Sequence, residues 1–191
     1  MLRQMVLGAM AALGLTAAVN AEVLLVVDLS VENEVTISAT DGLSAATLSG
    51  SSFTGVLLGD FYSVAPGGFS GSVFLDSGDL TTAANPSDGS PSLFSDFAST
   101  GLNIWSFSTD TTVSFTAGAQ AFSGSATWTL AAADYANMVA GNAFGDIYFP
   151  ADSDDDIDGA TLIGQWEVVI PTPGALALLG VAGLVGTRRR R

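Results

Sequence analysis

The acidic run from Asp152 to Gly159 is the part of the sequence whose residue types and spacing could do chemistry. Three of its carboxylates fit the D-x-D-x-D-G opening of a calcium loop: Asp154, Asp156 and Asp158. Alternate carboxylates can converge on one hard cation, and Gly159 permits the sharp turn after them. The twelfth position of such a loop is Gln165 instead of a bidentate Glu, so a solvated acidic loop remains the alternative interpretation. If Ca²⁺ binds, we expect a dissociation constant on the order of 10⁻⁴–10⁻³ M.

The distribution of charge excludes several classes of function. The 191 residues include 19 Asp and Glu, 5 Lys and Arg, and neither His nor Cys. All five bases lie at the chain ends, at Arg3 and Arg188–Arg191, so residues 4–187 contain no cation. We therefore expect no nucleic-acid partner, because phosphates could not be neutralised. Disulfides, Cys/His zinc sites and catalysis by Cys, His or Lys are excluded as well, and divalent cations are the obvious counter-charge.

Two alternative functions use the remaining carboxylates and aromatic rings. A carboxylate-based glycoside hydrolase needs two carboxyl groups about 5–10 Å apart in a cleft. The sequence brings no pair of its candidates to that separation: Asp60, Asp76, Asp79, Asp110 and Glu167. A polysaccharide-binding module would need exposed, coplanar rings at Trp105 and Trp166, whereas Trp128 lies on the apolar face of its strand.

The N-terminal residues 1–21 have the pattern of a secretory signal peptide. Arg3 precedes an apolar run over residues 5–19, which we expect to be a signal helix. A small-x-small site follows, so the predicted cleavage lies between Ala21 and Glu22.

The C-terminal residues 169–191 combine two prolines, an apolar run and an arginine cluster. Gly174–Gly186 would span roughly 20 Å as a helix, which is short of the 30 Å or so of a hydrocarbon core. Arg188–Arg191 should stay cytoplasmic by the positive-inside rule, which leaves the body on the far side of the inner membrane. Both chain ends therefore predict the same topology.

This C-terminal pattern resembles the PEP-CTERM sorting signal of Gram-negative bacteria that make extracellular polysaccharide. The motif residues are Pro171, Thr172, Pro173 and Gly174, and the terminal cluster is Arg188, Arg189, Arg190 and Arg191. Thr172 stands where the family name implies Glu. The resemblance implies recognition by an exosortase, cleavage near the Pro motif, and release or attachment at the cell surface. A plain single-span tail anchor is the alternative.

The body, residues 22–168, is predicted to be all-β, as a two-sheet β-sandwich or jelly roll of about nine or ten strands. The clearest predicted strand is Phe122–Leu130, in which apolar and polar residues alternate strictly. Further strands are predicted at Val23–Leu29, Glu34–Ala39, Leu48–Phe53, Gly55–Leu58, Phe69–Leu75, Leu102–Ser108, Thr112–Thr116, Asp146–Phe149 and Thr161–Val168. One short helix is expected near residues 131–140, with Tyr135, Met138 and Val139 on one side and Gly141 at its end.

Residues 122–166 also resemble the end of a CHRD-type domain. The residues that carry this resemblance are Trp128-Thr129-Leu130, Tyr135, Met138, Ala140-Gly141-Asn142, Phe144, Asp146-Ile147-Tyr148-Phe149, Leu162 and Gly164-Gln165. The family usually places His at the position of Tyr148 and Arg at that of Ile163, so any role of those residues is lost here. The resemblance implies a β fold and no enzymatic activity.

The sequence thus predicts an exported, non-enzymatic protein of the cell surface or extracellular matrix of a Gram-negative-type bacterium. Its expected role is structural or adhesive, with or without help from Ca²⁺. The expected partners are the inner membrane and an exosortase during export, and extracellular polysaccharide afterwards.

Overall fold

The computed structural model describes residues 21–67, 69–73, 76–86, 91–105 and 111–169. The predicted signal peptide up to Asn20 and the predicted sorting segment from Ile170 onwards lie outside these described residues. The described part contains fourteen strands, one α-helix and one 3₁₀ helix. The strands are β1 (Val23–Asp28), β2 (Glu34–Ala39), β3 (Leu48–Ser51), β4 (Val56–Leu58), β5 (Phe69–Val73), β6 (Ser77–Gly78), β7 (Thr81–Thr82), β8 (Ser92–Ser95), β9 (Leu102–Trp105), β10 (Thr112–Phe115), β11 (Phe122–Ser123), β12 (Ser125–Thr129), β13 (Phe144–Phe149) and β14 (Thr161–Val169). The helix α1 is Ala132–Val139, and the 3₁₀ helix is Asp154–Gly159.

Ten of these strands form one curled sheet in the order β5-β8-β9-β4-β13-β14-β1-β2-β12-β6. A flat sheet of this size would separate its two edge strands by roughly 43 Å, at about 4.8 Å between neighbours. The edge strands β5 and β6 are consecutive in the chain and are joined only by residues 74–76. Four residue steps reach at most about 14 Å, so the sheet must curl until its edges nearly meet. Two-stranded ribbons, β10-β3 and β11-β7, complete the sandwich-like body.

The first and last strands of the described chain lie side by side in the middle of this sheet. β1 runs parallel to β14, with Val23 opposite Gln165 and Asp28 opposite Val169. Antiparallel neighbours flank this pair, β2 on β1 and β13 on β14. The N-terminus of the body and the exit to the C-terminal segment therefore lie at opposite ends of one parallel ladder.

The curled sheet encloses a core of aromatic and branched aliphatic side chains. Trp166 packs on Phe61 with ring centroids 5.0 Å apart, and Phe115 contacts Phe122 and Phe149 at 5.5 and 5.2 Å. These rings, together with Trp128, are almost completely buried. Helix α1 closes one end, where Met138 is buried and the Tyr135 hydroxyl donates to the carbonyl of Leu29 at 2.7 Å.

The all-β, sandwich-like body is confirmed, as is a helix within residues 131–140. Three details of the prediction are wrong. The alternation over Phe122–Leu130 does not give one strand, because Gly124 adopts φ +80° and divides it into β11 and β12. Val139 is exposed instead of sharing the buried side of the helix with Met138. The strands β6, β7 and β8 were not predicted.

The position after the helix C-cap, Gly141, has no room for a side chain, which gives a test of the fold. A Cβ atom at this position would lie 2.5 Å from the carbonyl oxygen of Phe61, a backbone atom that cannot rotate away. We expect Gly141→Ala to lower the free energy of unfolding by about 1–3 kcal/mol, the usual range for overpacking. Urea unfolding of residues 22–169 measures the change. Gly159→Ala is the matched control, since a Cβ there meets nothing within 4 Å, and equal losses in both variants would contradict the packing argument.

Candidate functional site

The acidic run lies in the connection between β13 and β14, where residues 154–159 form the 3₁₀ helix. This helix faces the loop that joins β8 to β9, residues 96–101. A small cavity of about 30 Å³ separates them. Its lining residues are Asp96, Ala98, Ser99, Ser153, Asp154 and Asp155. The space suits one or two water molecules and is far below the 300 Å³ or more of an ordinary small-molecule pocket.

Asp154 connects the β13–β14 connection to the 96–101 loop through hydrogen bonds. Its Oδ2 accepts hydrogen bonds from the Thr100 amide at 2.7 Å and from the Thr100 hydroxyl at 2.9 Å. The Asp154 amide in turn donates to the Ser99 hydroxyl at 3.2 Å. Its second carboxylate oxygen, Oδ1, is buried without a hydrogen-bond partner. Asp154 therefore acts first as a tether between two connections of the sheet.

The other two predicted calcium ligands do not join Asp154. Asp156 accepts a hydrogen bond from the Asp152 amide at 3.1 Å, and Asp158 is exposed. No three or more carboxylates among the described residues lie close enough together to hold a metal ion. The sequence spacing thus places the three aspartates on one short helix without making them converge. Calcium binding itself stays a prediction.

The tryptophans do not form a sugar-binding face. Trp166 is completely buried, and its ring nitrogen donates to the Gly59 carbonyl at 3.2 Å. Trp128 is also completely buried, as expected, and donates to the Pro91 carbonyl at 3.1 Å. The side chain of Trp105 lies outside what the structure describes. The expectation of an exposed pair at Trp105 and Trp166 is therefore wrong for Trp166, whose hydrophobic ring fills the core.

The candidate carboxylates of a hydrolase have structural partners instead of a cleft. Asp76 accepts a hydrogen bond from the Thr129 amide, and Asp79 accepts one from the Ser125 amide. Strand β6 has only two residues, so it leaves two backbone amides on the edge of β12 without a strand partner. The two carboxylates accept hydrogen bonds from these amides. Asp60 and Glu167 lie exposed on the surface, and Asp110 is outside the described residues.

The partners of these carboxylates were not found from the sequence. Thr100 lies 54 positions before Asp154, and Ser125 lies 46 positions after Asp79. No residue type or spacing near either aspartate indicates such a partner. Strand pairing brings the segments together, because β6 lies beside β12 and only β4 separates β9 from β13.

The predicted processing sites lie at the limits of the described chain. Glu22 is already part of the fold, because its carboxylate accepts from the Leu43 amide at 2.7 Å and its carbonyl from the Gln165 amide at 2.8 Å. At the other limit, Val169 closes β14, and the motif residues Pro171–Gly174 with Arg188–Arg191 lie outside the description. Among the described helices, none has the length and apolar character to cross a membrane.

No family model, curated protein or solved structure matches this chain. The resemblances of the C-terminal segment and of residues 122–166 therefore stay predictions. Within residues 122–166, the elements α1, β13 and β14 follow one another along the chain. Ile163 is completely buried at the position where CHRD-type domains usually have Arg.

The Asp152 carboxyl gives a pH-dependent test of the acidic run. Burial raises its pKa above the ordinary carboxyl value, and a hydrogen bond and charge repulsion from Asp156 add to the shift. Because the folded-state pKa is raised, ionised Asp152 disfavours folding at pH above that pKa. This destabilisation decreases as the pH falls through the folded-state pKa of Asp152. It is absent below about 3.9, the pKa of the carboxyl in the unfolded chain.

We therefore expect Asp152→Asn to raise the urea midpoint at pH 7 and to have no effect near pH 3. Urea titrations of both proteins across this pH range measure the difference. Asp158→Asn removes an exposed charge from the same run and should give a smaller gain at pH 7. A gain for Asp152→Asn that persisted unchanged at pH 3 would show that its ionisation is not the cause.

Proposed function

We propose that this protein is an exported, non-enzymatic component of the extracellular polysaccharide matrix, with a structural or adhesive role. The observation that carries the proposal is the C-terminal sequence, in which Pro171-Thr172-Pro173, an apolar run and four arginines follow each other in the order of a PEP-CTERM-like sorting signal. An exosortase would recognise this segment at the inner membrane and cleave near the prolines.

The boundaries of the folded body support this proposal. The fold includes Glu22, the predicted first residue of the mature chain, through two hydrogen bonds. It ends at Val169, so Pro171 is the second residue beyond the last strand. A cut on either side of the body at the predicted sites would remove no strand and no buried side chain of the described core.

The chemistry of the described residues favours a structural role over the two alternatives. The carboxylates Asp76, Asp79 and Asp154 accept hydrogen bonds from backbone amides, and the rings of Trp128 and Trp166 fill the core. Burial of Trp166 removes one of the two rings proposed for a polysaccharide-binding module. Two of the five carboxylates proposed for a hydrolase, Asp76 and Asp79, are engaged by backbone amides. Neither alternative gains an observation in its favour.

The mass of the intact protein from its native host tests the proposal. Trypsin has no cleavage site between Arg3 and Arg188, so the mass is measured on the intact chain instead of on tryptic peptides. We expect an extracellular species that begins at Glu22 and ends near Pro171–Pro173. A variant with Arg188–Arg191 replaced by Gln should keep its C-terminal segment and lose this species. A wild-type membrane species that retains Arg188–Arg191 would mean a plain tail anchor and would contradict the sorting proposal.

Calcium is the second part of the proposal, and the charge of the body supports it. Residues 22–169 hold all 19 acids and no base, so counter-ions gather near the surface, and divalent cations are attracted more strongly than monovalent ones. We expect calorimetric titration to give a dissociation constant on the order of 10⁻⁴–10⁻³ M. Replacing both Asp156 and Asp158 by Asn should weaken binding at least several-fold, whereas replacing Glu32 by Gln and Asp41 by Asn should not. Equal effects of the two pairs would mean diffuse condensation of ions without a site.

A further inference from the structure

One end of the curled sheet, which we call the helix end, consists of helix α1, the β1–β2 turn, residues 59–64 and the first residue of β13. The last strand β14 also ends here, at Val169. Backbone hydrogen bonds connect these pieces: Asn142 donates to Phe61 at 2.9 Å, Val168 to Ala143 at 2.7 Å, and Leu29 to Val169 at 3.2 Å. The chain therefore leaves the folded body from within the helix end.

The helix end exposes several large apolar side chains. Val64 is 75% exposed and Phe144 73%, and both belong to segments that meet at the C-terminus of α1. The Ser63 hydroxyl, next to Val64, donates to the Ala140 carbonyl at 3.2 Å. Val31, Val139 and Val169 are exposed at the same end. Single exposed apolar residues are ordinary on a surface, whereas a group of them around one chain exit is typical of an interaction surface.

The outward side of α1 continues this apolar surface. Its exposed residues are Ala132, Ala133, Ala136, Asn137, Val139 and the following Ala140, and none of them is charged. This is unusual in a body with 19 acids, because exposed helix faces normally carry charged or polar residues. The charged residues of this end are Asp28, Glu32, Asp60, Asp134 and Glu167, so acids border the apolar surface and Glu167 lies directly opposite Phe144 across β13 and β14.

The distance from the helix end to the apolar C-terminal segment is short. Five residue steps lead from Val169 to Gly174, which is at most about 18 Å of extended chain. The opposite end of the body begins at Thr161, eight strand residues earlier and roughly 26 Å further away. If Gly174–Gly186 enters a bilayer, the helix end is the end of the body that the chain holds nearest to the headgroup layer.

We propose that in the uncleaved chain the helix end rests on the lipid surface, with Phe144 and Val64 inserted among the headgroups. The occupant of this apolar surface is a zwitterionic bilayer, since the acids that border Phe144 and Val64 would be repelled by anionic lipid. The contact adds buried apolar area to the membrane attachment and fixes the orientation of the body above the membrane. This inference rests on the proposed function, because it requires the C-terminal segment to enter the membrane.

The absence of cysteine from the sequence makes a site-specific test direct. The full chain would carry one environment-sensitive fluorophore on Phe144→Cys or Val64→Cys, in phosphatidylcholine vesicles that contain nitroxide lipid. Phe53→Cys and Leu162→Cys are the matched controls, because both residues are exposed apolar positions at the opposite end. Flotation of the vesicles after a carbonate wash reports separately whether the C-terminal segment is inserted.

We expect vesicle-bound chains to show a blue-shifted emission and at least twofold stronger nitroxide quenching at positions 144 and 64 than at 53 and 162. Bound chains with equal quenching at all four positions would overturn the inference and leave the membrane stage of the proposed function intact. Chains that do not float would overturn both. The two helix-end positions are independent, so a folding defect in one labelled variant leaves the other as the test.

Discussion

The connection of three residues between β5 and β6 is the constraint on which the rest of the structure depends. Because these strands form the two edges of a ten-stranded sheet, the chain can satisfy the connection only by curling the sheet. Curling creates an inside, and the inside is where Trp128, Trp166 and the phenylalanine cluster are buried. The strand order places only β4 between β9 and β13, so the β13–β14 connection lies near the 96–101 loop and Asp154 can reach Thr100.

Because the folded body contains no Lys or Arg, its carboxylates have hydrogen-bond partners other than cationic side chains. Acidic side chains near a protein surface can pair with Lys or Arg, but residues 4–187 contain neither. Backbone amides take this place, as charge-assisted donors to the carboxylates. The pairs are Ser30–Asp28, Leu43–Glu22, Ala98–Asp96, Thr100–Asp154, Ser125–Asp79, Thr129–Asp76 and Asp152–Asp156. Acidic residues that looked available for metal or catalytic chemistry are thus engaged in ordering turns, connections and one strand edge.

Local patterns predicted the longer elements of the fold well and the connections between them poorly. Glu34–Ala39 alternates apolar and polar residues, and its strand has those bounds in the structure. The pairs Ser77–Gly78 and Thr81–Thr82 are too short for any periodic pattern, and their strands depend on neighbours far along the chain. Gly124 fits the alternation of its segment, yet a Cβ there would lie within 2.8 Å of three atoms of Asp79, so its role is set by a residue 45 positions away. The same limit applies to the candidate site, where spacing located the acidic run but not the partner of Asp154.

The parallel pair of β1 and β14 determines how the body would respond to mechanical load. A body held at one chain end and pulled at the other is stretched between the start of β1 and the end of β14, which lie at opposite ends of this ladder. In this geometry the force acts along both strands, so the hydrogen bonds between them are sheared together instead of being opened one after another. Antiparallel neighbours on both sides hold the pair in place during the pull. The arrangement of the first and last strands therefore makes the direction between the termini the one along which the folded body resists extension.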